Sequence, residues 1–138
     1  MKQLHGDHHP EVATTLNHIA CVLYDEGKYG EAMQYYQQAL QMYKQVHGDH
    51  HPDVAVTLYN MSVVLEAQDR LKVAYACADQ AHKIWLKYLG PMHPNTRSAA
   101  AHLQTVKAKF QIKVVMLSLS GQSSAGGTGS SSSSPNPP

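Results

Sequence analysis

A short phrase that returns at a fixed interval constrains the fold of this chain more than any other feature of its sequence. Residues 5–10, HGDHHP, recur as residues 47–52, an offset of 47 − 5 = 42. A weaker third copy, LGPMHP at residues 89–94, follows in the same register, since 90 − 48 = 42. Repetition at such an interval is typical of supersecondary units that stack on their neighbours.

Each copy of the phrase places a glycine ahead of a proline. Glycine is favoured just after a helix, and proline is tolerated in the first turn of the next one. Lys44 precedes the second copy and Asp53 follows it, so that each charge complements the dipole of its predicted helix. The phrase therefore predicts a corner between two helices.

Between the corners, two segments per interval show the apolar spacing of amphipathic helices. The first stripe is Val12, Leu16, Ile19, Ala20 and Leu23, which become Val54, Leu58, Met61, Ser62 and Leu65. The second stripe is Tyr29, Ala32, Tyr36, Ala39, Leu40 and Tyr43, matched by Leu71, Ala74, Ala78, Ala81, His82 and Trp85. Each interval predicts a helical hairpin, which must stack because it cannot bury both faces alone.

The second interval departs from the first at two positions that shape the core. Asp69 stands where the first interval has Gly27, and Ala78 stands where it has a tyrosine. The smaller side chain leaves space that Trp85 or Tyr75 is expected to fill, because protein interiors are close-packed. In the third interval only the first stripe continues, which makes it half a repeat.

These patterns predict an all-α array of about two and a half helical hairpins. The predicted helices cover residues 10–24, 29–46, 52–67, 71–89 and 94 to about 110. The repeat domain is placed at residues 1–110, with repeats at 6–47, 48–89 and, in part, 90–110. Residues 1–5 align with 43–47, so the chain is expected to begin inside a preceding repeat.

The sequence after the repeats changes character twice. Residues 111–120 are apolar and are expected to extend or cap the last helix. Residues 121–138 are mostly Gly, Ser and Pro, and we expect this tail to be disordered because it has too little apolar surface to offset its ordering entropy.

The residues at the helix contacts resemble the tetratricopeptide-repeat (TPR) consensus: Leu16, Ile19, Ala20, Leu23, Gly27, Tyr29, Ala32, Tyr36 and Ala39. The 42-residue period, with His-Pro-(Glu/Asp)-Val-Ala before the first helix and Gly-Lys-Tyr-x-Glu-Ala before the second, resembles the longer variant of kinesin light chains and nephrocystin-like proteins. Residues 3–13 are also similar to repeats of clustered-mitochondria proteins. The resemblance covers about residues 1–107 and implies a right-handed superhelical solenoid.

In that family the first helix of each hairpin lines a concave surface that binds peptides. The resemblance thereby implies a peptide-binding site made of Asn17, His18, Cys21, Tyr24, Val56, Tyr59, Asn60, Val63, Glu66, His102 and Lys109. Asn60 occupies the position where the family often has an asparagine that holds the ligand backbone, whereas His18 occupies it in the first repeat. An amide suits this role because it donates and accepts at once.

Metal binding and catalysis are the alternatives to peptide binding. The histidine clusters at the corners, His5, Asp7, His8, His9 and their copies His47, Asp49, His50, His51, contain metal ligands, but neighbouring histidines at a turn seldom supply enough convergent groups. We therefore predict no metal and no cofactor. His18 and Cys21 share a helix face, but the sequence has no phosphate-binding loop or catalytic motif, which predicts a protein that is not an enzyme.

Charge and cysteine content complete the prediction. A formal net charge of +1 gives no field for nucleic acid, and no apolar run is long enough for membrane insertion. The two cysteines lie in periodic segments and no signal peptide is evident, which favours the cytoplasm. The sequence predicts a scaffold or adaptor that binds a protein or peptide. The alternatives are a piece of a clustered-mitochondria-type protein and a structural repeat that self-associates through its open ends.

Overall fold

The computed structural model describes the backbone of residues 10–126 and side chains as far as residue 121. The described chain is all-α, with α1 Pro10–Asp25, α2 Tyr29–His47, α3 Pro52–Ala67, α4 Leu71–Leu89 and α5 Pro94–Gly126. All five predicted helix starts are confirmed. The predicted ends of α3 and α4 are also confirmed, and α1 and α2 are each one residue longer.

Helix α5 continues well past the predicted repeat. Residues 111–120 extend it, and residues 121–126, which the sequence analysis assigned to a disordered tail, are helical as well. A physical reason is that Gly121 is the only glycine and no proline occurs between Asn95 and Ala125; one helical glycine costs about 1 kcal/mol and does not stop a helix. Residues 127–138, the rest of the predicted tail, lie outside the described residues.

The repeated phrase forms the predicted corners through a defined set of hydrogen bonds. Gly48 ends α2 at φ 88° and ψ 172°, and its N–H donates to the Lys44 carbonyl oxygen at 2.8 Å. His51 then caps α3, because its Nδ1 accepts a hydrogen bond of 3.0 Å from the Asp53 backbone N–H. His93 makes the same bond to the Asn95 N–H at 3.1 Å. The histidines before Pro52 and Pro94 thus take the role that serine or aspartate usually has at a helix N-terminus.

The turns inside the two hairpins share one backbone conformation. Gly27 has φ 80° and Asp69, at the equivalent position (69 − 27 = 42), has φ 63°. In both turns the N–H of the following residue, Lys28 or Arg70, donates to a carbonyl five residues back. This is the Schellman motif, which requires a left-handed residue; aspartate is one of the few side chains that tolerate it.

The core lies between the helices of the two hairpins and reaches the first turns of α5. Its small residues allow close helix contacts, and its aromatic residues fill the remaining space. The buried cluster consists of Ala13, Ala39, Tyr43, Val54, Ala55, Leu58, Ala81, Ile84, Trp85 and Ala99. Of the two residues expected to fill the space beside Ala78, Trp85 is buried and Tyr75 is exposed.

The apolar stripe of α1 is only partly covered. In α3 the equivalent residues are all buried, but Ile19 is 38% exposed and the buried residues of α1 are Ala13, Asn17 and Ala20. Within the described residues, helix α3 has α2 and α4 packed against it, whereas α1 packs mainly on α2. The stripe therefore predicts the helix correctly but not which of its residues are buried.

Helix α5 is shared by two compact units, the first ending at Val106 and the second beginning at Lys107. The second unit exposes several large apolar side chains at helical spacing, among them Ile112, Val115, Met116 and Leu119. Across residues 10–126 we find no helix whose length and apolar content would let it cross a membrane.

Candidate peptide-binding face

The first helices of successive repeats lie side by side in the first unit. Helix α1 contacts α3 through Asn17 and Thr57, and α3 contacts the start of α5 through Ser62 and His102. We call the surface along α1, α3 and α5 as far as Val106 the inner face. Each of these three helices contributes one residue at the same position of the repeat. These residues are His18, Asn60 and His102, since 60 − 18 = 42 and 102 − 60 = 42.

The centre of the inner face is an aromatic residue beside an amide. The half-buried ring of Tyr59 lies 5.6 Å from the Trp85 ring and 5.4 Å from the His102 ring, measured between centroids. Burial, and then the Glu66 charge, raises the pKa of Tyr59, so its hydroxyl keeps its proton near neutral pH. Asn60 is half-buried, and within the described part of the chain its amide makes no hydrogen bond.

His102 ties the start of α5 to α3 from both ring nitrogens. Its Nε2 is 2.9 Å from the Ser62 hydroxyl, and its Nδ1 is 3.7 Å from a Glu66 carboxylate oxygen. The His102 and Glu66 side chains are only 9% and 15% exposed, so both are largely committed to this contact. The predicted site residues Tyr59, Glu66 and His102 are thus brought together as one cluster.

The order serine, histidine, carboxylate in this cluster resembles a catalytic triad, but its hydrogen bonds do not suit catalysis. Ser62 is fully buried, and its hydroxyl donates to the Ala74 carbonyl oxygen at 2.7 Å. The His102 Nε2 must therefore donate to Ser62 and cannot accept its proton, as a general base would. The cluster fixes the packing of α3, α4 and α5.

The α1 part of the inner face is more exposed. His18 and Cys21 are exposed, and Tyr24 is half-buried with its ring 5.5 Å from that of Tyr29. The Cys21 Sγ lies 3.0 Å from the Tyr36 hydroxyl, which gives the thiol a partner other than His18. Burial, followed by the contact with Cys21, raises the pKa of Tyr36, so this hydroxyl is not a base.

The remaining predicted site residues differ in their accessibility. Val56 is 38% exposed and Val63 is half-buried, and both lie on α3. Lys109 is exposed but belongs to the second unit, so the inner face as defined above does not include it. Asn17 is 7% exposed, and its Nδ2 donates to the Thr57 hydroxyl at 3.1 Å.

The Asn17 amide is therefore part of the contact between the first two repeats. We expect Asn17→Ala and Thr57→Val each to destabilise the protein by about 1–3 kcal/mol, because each breaks the buried hydrogen bond between Asn17 and Thr57. In the double variant no unsatisfied group remains, so the loss should be smaller than the sum by about 1 kcal/mol. Urea unfolding of the parent, the two single variants and the double variant measures this difference. Strictly additive losses would show that Asn17 and Thr57 do not interact.

Two residues that organise the inner face were not among the predicted site residues. Ser62 occupies a position that is alanine in the first repeat and was counted in the apolar stripe, although a serine in such a stripe is a signal for a buried hydrogen bond. Trp85 was expected to fill core space, but its contact with Tyr59 depends on how α4 packs on α3. The pattern of residues within a single helix does not reveal how that helix packs on its neighbour.

Comparison with known proteins agrees with this architecture. The family model described as tetratricopeptide repeat matches residues 12–53, which is one full period of 42 residues. The crystal structure of BtubC (BKLC) from P. vanneervenii aligns with a TM-score of 0.69 at 23% sequence identity, covering 96% of this chain and 53% of that one. At this identity the likeness shows a shared fold, and our chain spans about half the length of that structure. A search of curated proteins finds no match.

The fold and the repeat define an all-α array of stacked helical hairpins. Residues 12–53 match the tetratricopeptide-repeat family, and the described helices resemble a tetratricopeptide-like solenoid. Proteins of this class generally mediate protein–protein interactions, and the fold is a typical non-enzymatic interaction module.

Proposed function

We propose that this protein is a non-enzymatic scaffold or adaptor that binds a peptide segment of a partner protein on its inner face. The observation that carries the proposal is the pairing of Tyr59 with Asn60 at the centre of α3. An aromatic ring held by Trp85 and His102 offers contact area without losing much conformational freedom on binding.

The Asn60 amide supplies the polar part of the proposed recognition. A peptide group that loses its water on binding needs both a donor and an acceptor, and one carboxamide provides both. His18 and Cys21 on α1 and Val56 and Val63 on α3 extend the same surface. These residues add polar contacts on α1 and apolar contacts on α3, which suits an extended peptide held mainly by its backbone.

The charge of the inner face does not favour a strongly acidic ligand. Glu66 lies against His102, and no cluster of lysine or arginine side chains accompanies them among the predicted site residues. The resemblance to kinesin light chains therefore supports the location of the proposed site, but we do not infer a preference for acidic ligands from it. We place the protein in the cytoplasm, a location supported by its free cysteines, Cys21 and Cys77.

Selection of peptides on the full chain, followed by affinity measurement with variants, tests the proposal. We expect Asn60→Ala to weaken binding about tenfold, which corresponds to about 1.4 kcal/mol. Tyr59→Ala should weaken it further, provided circular dichroism shows an intact fold. Gln38→Ala and Gln80→Ala, exposed positions on α2 and α4, are the matched controls and should bind as the parent does. Equal affinities for all five proteins would place the site elsewhere.

The exposed apolar residues of the second unit, such as Val115 and Met116, favour a second candidate, self-association. Light scattering on the same samples separates the two functions. A monomer that binds the selected peptide supports the inner face, whereas a monodisperse dimer that binds none supports assembly.

A further inference from the structure

Three metal-ligating side chains converge at the corner between α2 and α3, outside the inner face. His47 lies in the last turn of α2, His51 is the N-cap of α3, and Asp53 lies in its first turn. The Asp53 Oδ2 is 3.4 Å from the His47 Nε2 and 3.7 Å from the His51 Nδ1. One ligand atom from each of the three residues lies within 4.8 Å of the others.

The corner brings these side chains into contact with one another. The imidazole rings of His47 and His51 stack with centroids 3.9 Å apart, and the Tyr43 ring lies 6.1 Å behind that of His47. All three ligand residues are partly buried. An imidazole binds a metal in the plane of its ring, and these two rings are nearly parallel, with an interplanar angle of 17°. One ring must therefore rotate before both histidines can bind a single ion.

We propose that His47, His51 and Asp53 bind a divalent transition-metal ion, of which Zn²⁺ is the representative. Two imidazoles and one carboxylate suit a borderline ion such as Zn²⁺, Co²⁺ or Ni²⁺ better than the all-oxygen preference of Mg²⁺ or Ca²⁺. In a tetrahedral zinc site with bonds of about 2.0–2.1 Å, ligand atoms are roughly 3.3 Å apart. The two nitrogen–oxygen distances at the corner are close to that separation. Water would complete the coordination.

The third copy of the repeated phrase shows that this set exceeds what a corner needs. The equivalent positions there hold Leu89, His93 and Asn95, since 89 − 47, 93 − 51 and 95 − 53 each equal 42. His93 still caps its helix, so the cap requires only the histidine before proline. His47 and Asp53 are therefore not explained by capping. In the first copy the corresponding residues are His5, His9 and Glu11.

Metal binding competes with one existing hydrogen bond. The His51 Nδ1 accepts the Asp53 N–H in the metal-free corner, so an ion at that nitrogen displaces this bond. The released N–H lies in the first turn of a helix, where water can replace the cap. We therefore expect an affinity below that of structural zinc sites with four protein ligands. A bound ion would tie α2 to α3 and so join the first repeat to the second.

The test is titration of the full chain with Co²⁺, followed by visible absorption, and with Zn²⁺, followed by calorimetry. His5→Gln/His9→Gln serves as the parent, so that the first copy of the phrase cannot contribute. We expect one equivalent of metal and a rise in melting temperature at saturating Zn²⁺. His47→Gln and Asp53→Asn should each weaken binding at least about tenfold and remove the thermal shift. His50→Gln, an exposed neighbour outside the trio, is the control and should behave as the parent.

Two results would overturn the proposal. No metal uptake by the parent would mean that the contact between His47 and Asp53 does not mark a metal site. Equal uptake by the parent and by Asp53→Asn would mean nonspecific binding to the histidines. Asp53→Asn keeps the shape of the side chain and the backbone N–H that His51 caps, so it remains informative even if His47→Gln does not fold.

Discussion

Trp85→Ala is expected to lower the free energy of unfolding by about 3–5 kcal/mol, the range for truncating a large buried aromatic residue. Trp85 is 4% exposed, belongs to the central cluster and packs on Tyr59, so its removal opens a cavity between α4 and α3. Single domains are typically stable by about 5–15 kcal/mol, so the loss would leave little stability. Urea unfolding followed by circular dichroism measures it without depending on the fluorescence of the only tryptophan.

Leu86→Ala is the matched control for this prediction. Leu86 is the next residue of the same helix and is 42% exposed, so its truncation should change stability by no more than about 0.5 kcal/mol. Similar losses for the two variants would show that α4 does not pack on α3 through Trp85. The same measurement reports on the inner face, because Trp85 supports the Tyr59 ring.

Gly48→Ala and Gly30→Ala are expected to change stability in opposite directions. A Cβ at either glycine would meet no atom within 4 Å, so backbone conformation alone distinguishes them. Gly48, at φ 88° and ψ 172°, occupies a region that is nearly exclusive to glycine. An alanine there costs about 1–3 kcal/mol in strain. Gly30 is helical, so an alanine there should stabilise the protein by about 0.5–1 kcal/mol.

Thermal and urea unfolding of the two glycine variants provide the comparison. If Gly48→Ala is as stable as the parent, the corner does not need its glycine, and the repeated phrase loses the physical role given to it. A destabilised Gly30→Ala would instead indicate that α2 begins later than Tyr29.

The helices could be predicted from the sequence because the apolar pattern of each type of helix occurs in more than one interval. The stripe at Leu58, Met61 and Leu65 repeats that of the first interval, which makes chance spacing implausible. Helix starts could therefore be placed at the prolines that end the repeated phrase, Pro10, Pro52 and Pro94. The turn containing Asp69 was predicted by its register with Gly27. Its left-handed backbone follows from the fold, since Asp69 adopts the conformation that glycine has in the first turn.

What could not be predicted depends on the angles between helices. A stripe identifies one face of a helix but not how far a neighbouring helix covers it. Asn17, which the resemblance assigned to the peptide site, is therefore buried against Thr57, and Ile19 of the apolar stripe is exposed. The contact of His102 with Ser62 and Glu66 likewise joins residues of different helices about forty positions apart, beyond the reach of any local pattern.

The corner histidines show the same limit. Adjacency in the sequence groups His47, Asp49, His50 and His51, and it leaves Asp53 only as a charge at a helix end. In the structure, Asp49 and His50 are exposed, whereas the Asp53 carboxylate lies near a ring nitrogen of both His47 and His51. Adjacency in the chain is thus a poor guide to which ligand atoms converge.

Photo-crosslinking with a selected peptide tests most directly whether the inner face is the binding surface. A peptide selected on the full chain is made with a photoreactive residue, and the crosslinked positions are identified by mass spectrometry. We predict crosslinks to α1 and α3, concentrated at Cys21, Tyr59, Asn60 and Val63. Crosslinks confined to α2 and α4, for example at Gln38 and Gln80, would contradict this placement.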